Sequence, residues 1–167
     1  MIKKRIEQLI KKFNRYDIDG YIVPKNDEFF SEYAAIDRLK TISNFSGSAG
    51  LAVISRKINY LFIDGRYTIQ AQLQSGKLFK IIEIHKFLPH KILKNLTLGF
   101  DPSLLTRKQL YGYFGKSLVL KQINNNLVDE IYKKKNTKTK KFFSLQSKIT
   151  GENFKSKINR SEYIKIK

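Results

Sequence analysis

Leu51-Ala-Val-Ile-Ser55 and Tyr60-Leu-Phe-Ile63, joined by Arg56-Lys-Ile-Asn59 and followed at once by Asp64-Gly-Arg-Tyr67, decide the fold. Both runs are short, apolar and rich in β-branched or aromatic residues, and the polar junction suits a turn, so the pair reads as a β-hairpin. Upstream, Ile2, Ile6, Leu9, Ile10 and Phe13 recur three and four apart among Lys, Glu, Gln and Asn. That spacing predicts an amphipathic helix. Asp17-Ile-Asp-Gly20 interrupts it, and Tyr21-Ile-Val23 before Pro24 reads as a buried strand that the proline ends. Glu28–Leu39 is expected to be helical, and Ser43–Gly50 to be a loop of small residues. Downstream, Tyr67, Ile69, Ala71 and Leu73 lie in a stretch of helix formers closed by Ser75-Gly76. Phe79, Ile81, Ile82 and Ile84, then Leu96–Phe100, then Leu118–Leu120 read as three further strands. Thr106 is placed to cap a helix over Arg107–Phe114, and Asn126 one over Leu127–Tyr132. One hairpin within otherwise alternating helices and strands implies an α/β fold: a mixed sheet of about six strands flanked by helices.

The chain has 167 residues, 33 Lys and Arg against 14 Asp and Glu, a formal net charge of +19, 41% hydrophobic residues, no Cys and two His. The aromatic and aliphatic content is enough for a real core, which excludes wholesale disorder. Without Cys there is no disulfide, thiolate metal site or cysteine nucleophile. No run approaches the roughly 20 apolar residues of a membrane helix, and Met1-Ile-Lys-Lys-Arg5 lacks the features of a signal peptide. A cytoplasmic product is expected, without membrane attachment. Residues 133–167 hold 12 Lys and Arg and 2 acids, so more than half the net charge lies in the tail. That tail suggests a basic module for nucleic acid or anionic surfaces. Against it, only 7 of the basic residues are Arg, the side chain that phosphate clamps favour, and the abundance of Lys, Asn and Ile fits a compositional bias.

The domain organisation follows: 1–132 as the folded domain, 133–143 as a basic linker, and 144–167 as the start of a second domain, too short to bury a core of its own. For chemistry, His85 and His90 flank Lys86-Phe-Leu-Pro89, yet a hydrolytic metal site needs three or more converging ligands. Two partly exposed His at a strand end is the simpler reading, and no metal is expected in this chain. Ser46 and Ser48 sit in Phe45-Ser-Gly-Ser-Ala-Gly50, before a strand, whereas a nucleophile elbow stands between a strand and a helix. A close-packed turn explains that loop, with a phosphate nest as the alternative. Asp64-Gly-Arg66 throws an Arg from a strand end with an Asp two positions earlier. The pair suits gripping a carboxylate or peptide carbonyl, or merely fixes the turn.

Taken together, Tyr21-Ile-Val-Pro24, Asp27-Glu28, Ser31-Glu-Tyr33, Arg38 before Ile42-Ser-Asn-Phe-Ser-Gly-Ser-Ala-Gly50, and Phe62-Ile-Asp-Gly-Arg-Tyr-Thr-Ile-Gln70 resemble the N-terminal domain of Xaa-Pro aminopeptidases, the aminopeptidases P of the creatinase and prolidase group. Asn126–Tyr132 is similar to the segment closing that domain, and Leu145, Thr150-Gly-Glu152, Lys157-Ile158 and Arg160 resemble the entry to the next. In that family a C-terminal pita-bread domain holds two divalent metal ions, usually manganese, and activates water against the bond before proline. This sequence matches only the front of such an enzyme, so none of its residues inherits a metal-ligand or general-base role. The resemblance implies a truncated or split chain, inactive alone, that caps the active site and helps form a dimer. Its partner would be a separate catalytic chain or a second copy, its ligand a peptide with proline second. It further implies that Arg66 contacts the peptide and Asp64 orients it. One departure stands out: where the family often has His and Gln before Ser-Glu-Tyr, this chain has Phe29-Phe30.

Overall fold

A computed structural model describes residues 1–31, 36–115 and 118–132. The amphipathic segment forms α1 (Ile2–Tyr16), which buries Ile6, Leu9 and Phe13 and ends where Asp17 turns left-handed. There follow β1 (Gly20–Pro24), α2 (Arg38–Ser43), β2 (Gly50–Ser55), β3 (Tyr60–Ile63), a 3₁₀ turn (Gly65–Tyr67), α3 (Thr68–Ser75) and β4 (Lys80–Glu83). The series closes with α4 (Pro89–Ile92), β5 (Thr97–Phe100), α5 (Arg107–Phe114), β6 (Val119–Gln122) and α6 (Leu127–Ile131).

The strands form one six-stranded sheet in the order β4-β3-β2-β1-β5-β6. The predicted hairpin is there: β2 and β3 pair antiparallel, Val53 opposite Tyr60. β2 also runs antiparallel to β1, whereas β3–β4, β1–β5 and β5–β6 are parallel. Five strands therefore point one way and end at one edge, and β2 begins there.

Both faces of the sheet are covered, which is why its central strands are apolar throughout and not alternating. Tyr21 and Val23 of β1, Ala52 and Ile54 of β2, and Leu61 and Ile63 of β3 pack with residues of α1, α2, α3 and α6. The intervening Ile22, Leu51, Val53 and Phe62 pack on the other face with Leu110 and Phe114 of α5. The fold is thus the mixed six-stranded sheet flanked by helices that the sequence implies.

Local chemistry sets the helix ends. Thr106 and Gln109 form a reciprocal capping box on α5, and Asn126 accepts from the Val128 and Asp129 N–H groups at the start of α6, as the sequence predicts. In α3, Ala71 and Ser75 face the core, but Ile69 and Leu73 stand 79% and 81% exposed. The expected helix over Glu28–Leu39 is corrected. Asp27 Oδ1 accepts from the Phe29 and Ser31 N–H groups, a tight turn with Phe30 at φ 57°. The helix itself begins only at Arg38, where the Asp37 side chain accepts from the Lys40 N–H. Asp side chains that satisfy nearby N–H groups compete with helix in this way. The linker and stub assigned to 133–143 and 144–167 lie outside the described residues.

Candidate functional site

The shared strand edge opens into a groove of about 340 Å³. Its walls come from the ends of β1 (Pro24, with Lys25 and Asn26), β3 (Ile63, Asp64) and β4 (Ile84, His85), from the loop leading into β2 (Ser48–Gly50), and from Leu105 and Tyr113. Loops beyond the carboxyl ends of parallel strands are where open α/β sheets hold ligands, because the strands supply a rigid base and the loops converge.

Asp64 is the organising group. Its backbone is extended, and its Oδ1 accepts from the Arg66 N–H at 3.0 Å and from Arg66 Nε at 2.9 Å. Its Oδ2 faces His85 Nε2 at 3.4 Å. The Arg66 N–H, then the guanidinium, then His85 pull the Asp64 carboxyl down to about 2 from an ordinary 3.8. It is therefore anionic at any physiological pH. Arg66 is 74% exposed, is held by Asp64, which lines the groove, and lies over the Tyr67 ring, 5.5 Å from its centroid. The pair foreseen between Asp64 and Arg66 is formed.

Tyr67 joins this turn to the small-residue loop. Its hydroxyl is 2.7 Å from Ser48 Oγ, and its ring meets Phe45 edge-on at 5.9 Å. Phe45 in turn fills the space that a Cβ on Gly47 would take. Ser46 is held by α3: its Oγ accepts from Gln70 Nε2 and Gln74 Nε2, each at 2.9 Å, and its N–H donates to Gln74 Oε1. Neither serine has an imidazole partner among the described residues, so a close-packed turn accounts for the loop.

The two His separate. His85 adjoins Asp64, while His90 lies on α4 with Nδ1 3.1 Å from the Tyr113 carbonyl oxygen. Glu83 pairs with Lys86. Among the described residues no three His, Asp or Glu side chains are grouped to hold a metal ion, so the donors present do not fit the two-metal centre that the resemblance places in the catalytic domain. No described helix is long and apolar enough to cross a membrane.

Two arrangements had no sequence signal. His85 lies beside Asp64 because β3 and β4 run parallel with Ile63 opposite Glu83, so both chains leave the sheet at one point. Arg38 is 7% exposed; it engages Asp129 through Nε and one terminal nitrogen at 2.8–3.1 Å, and Glu28 at 2.7 Å. Burial alone would lower its pKa, but the hydrogen bonds it donates to the Asp129 and Glu28 carboxylates outweigh that and raise it.

Residues 5–128 match the creatinase/prolidase N-terminal domain. The probable Xaa-Pro aminopeptidase P of Coprinopsis cinerea is 33% identical over 93% of this chain and 27% of its own length. Xaa-Pro aminopeptidase 1 of Dictyostelium discoideum is 29% identical over 94% of this chain and 29% of its own. The chain thus spans about a quarter of the length of the curated relatives it matches. Among solved structures, the X-prolyl aminopeptidase of Caenorhabditis elegans, described as a cytosolic enzyme with a di-nuclear active site, superimposes with a TM-score of 0.66 at 27% identity. The likeness covers 79% of this chain and 25% of that one. The N-terminal domain of the cytoplasmic peptidase PepQ from Mycobacterium tuberculosis, 21% identical, shares the fold with a TM-score of 0.58 over 77% of this chain and 98% of its own. The match across most of the folded residues and a sheet of the same topology make this chain a member of the creatinase/prolidase N-terminal domain family.

Proposed function

We propose that this chain is the non-catalytic N-terminal domain of a cytoplasmic, manganese-dependent Xaa-Pro aminopeptidase. It caps the active site, contributes to a dimer and presents Arg66, oriented by Asp64, to the bound peptide. The metal and the water-activating groups belong to a catalytic domain, whether on the same polypeptide or on a companion chain. The observation that carries this reading is an exposed guanidinium anchored by a permanently ionised carboxylate at the rim of a groove. An Arg so held is pre-oriented for a peptide carbonyl or carboxylate, and less side-chain entropy is lost when it binds.

The test is hydrolysis of an Xaa-Pro peptide with manganese present, by the purified chain alone and together with a catalytic domain. Activity is expected only with the second component. Arg66→Ala should lower kcat/KM about tenfold or more, the effect of losing one charge-assisted contact, with an unchanged melting temperature. Full activity in Arg66→Ala would remove the peptide-contact role, and activity of the chain alone would remove the non-catalytic one.

A further inference from the structure

The polar end of the groove explains Asp64 and His85, with Arg66 held by Asp64, but it leaves Phe30 without a task. Phe30 lines the groove and is 48% exposed, at a backbone φ of 57° that bulky L residues rarely adopt. Four polar contacts hold this unfavourable turn. The Phe30 N–H donates to the Asp27 carbonyl at 3.0 Å, and Asp27 Oδ1 accepts from the N–H groups of its neighbours Phe29 and Ser31 at 3.0 and 2.8 Å. Asn26 Nδ2 donates to the Leu104 carbonyl at 2.7 Å, clamping the turn to the loop after β5. An aromatic ring kept half exposed by a strained and over-determined backbone is what a ligand-contacting wall looks like, since such strain persists where the surroundings enforce it. Leu105, Ile84 and Tyr113 continue the apolar lining, and Asp64 and His85 give it a hydrogen-bonding end. At about 340 Å³ the groove is sized for a small ligand or short peptide and not for a folded partner.

We propose that Phe30 determines specificity: the groove selects short peptides that carry a large apolar side chain, aromatic above all, packed on the Phe30 ring while the peptide's polar groups meet the Asp64–His85 end and the Arg66 that Asp64 holds. This rests on the reading of the groove as a peptide site. Ring-on-ring packing supplies the preference, because an aromatic pair adds to the area it buries.

The experiment is a titration of the full chain with Phe-Pro-Gly and with Gly-Pro-Gly, followed by backbone NMR. Phe-Pro-Gly should bind about tenfold more tightly and shift the Asp27–Ser31 signals. Phe30→Gly accepts the left-handed backbone without strain and removes the ring, so it should fold and bind both peptides alike; Phe30→Leu should keep part of the preference. Arg66→Ala should weaken both peptides by a common factor and leave their ratio intact. Equal affinities in the unaltered chain, or a ratio that Phe30→Gly leaves in place, overturn the role of Phe30, while an effect of Arg66→Ala in those cases upholds the peptide-contact reading. A ratio lost in Phe30→Gly with no effect of Arg66→Ala upholds Phe30 and removes Arg66. No binding of either peptide to the folded chain overturns both.

Discussion

Two arginine–aspartate pairs use the same chemistry to different ends. Arg38 is 7% exposed and joins α2 to Asp129 of α6 and to Glu28. Arg66 is 74% exposed and is held only two residues away by Asp64. The first pair bridges 91 positions of sequence and buries the guanidinium while its carboxylates stay partly wet, so the Arg38 charge needs its partners. The second is local and exposed, so solvent screens it and it adds little to the stability of the fold. Burial, and not residue type, separates an ion pair that ties distant elements together from one that orders an exposed turn, the pair for which we propose a role in recognition.

The most damaging way to probe this contrast is Arg38→Met. Asp129 and Glu28 would keep their charges at a half-dry site, and we expect a loss of about 2–3 kcal/mol, below the full figure for a wholly buried pair because both carboxylates retain some water. Urea unfolding measures it. A loss no greater than that of Arg66→Ala would erase the distinction between the pairs.

Gly47→Ala disturbs the exposed pair without touching a charge. The new methyl would collide with the Phe45 ring, on which Tyr67 packs beneath the Arg66 guanidinium. A cost of about 1–3 kcal/mol is expected from such overpacking, with shifted NMR signals for Tyr67 and Arg66. Unchanged signals would show that the loop does not position Arg66.

The smallest effect concerns pH. The folded-state pKa of Asp64 is depressed to about 2 from 3.8, so the folded form binds its proton less readily than the unfolded form. Its contribution to stability is present above about pH 4 and is lost as pH falls toward 2, and salt should diminish it. Titration of the Asp64 carboxyl by NMR should give a midpoint near 2. In Arg66→Ala it should rise only part of the way to the ordinary value, because the backbone N–H at position 66, the largest cause, remains. A midpoint already ordinary in the unaltered chain would dissolve the pairing.

Much of this architecture was legible in advance because its causes are local. The α1 stripe, the caps Thr106 and Asn126, the hairpin around Arg56–Asn59 and the Asp64–Arg66 turn each depend on residues within a few positions of one another. The Glu28–Leu39 segment misled for the same reason: its composition favours helix, but the turn closed by Asp27 sets Phe30 left-handed at φ 57°, which ends any helix there. The exposed Ile69 and Leu73 show the converse. Their apolar character does not say which side of α3 meets the sheet.

What the amino-acid sequence determined by itself is the set of elements, the sheet with apolar residues toward both faces, and the family, since periodicity, capping and short motifs are properties of neighbouring residues. Only the tertiary structure decided that β2 alone runs against the other five strands, that β3 and β4 leave the sheet together to set His85 beside Asp64, that Phe30 enters the groove, and that Arg38 reaches Asp129. Those contacts join residues far apart in the chain, and their free energy depends on strand register and on how much water remains around each group once the layers have closed.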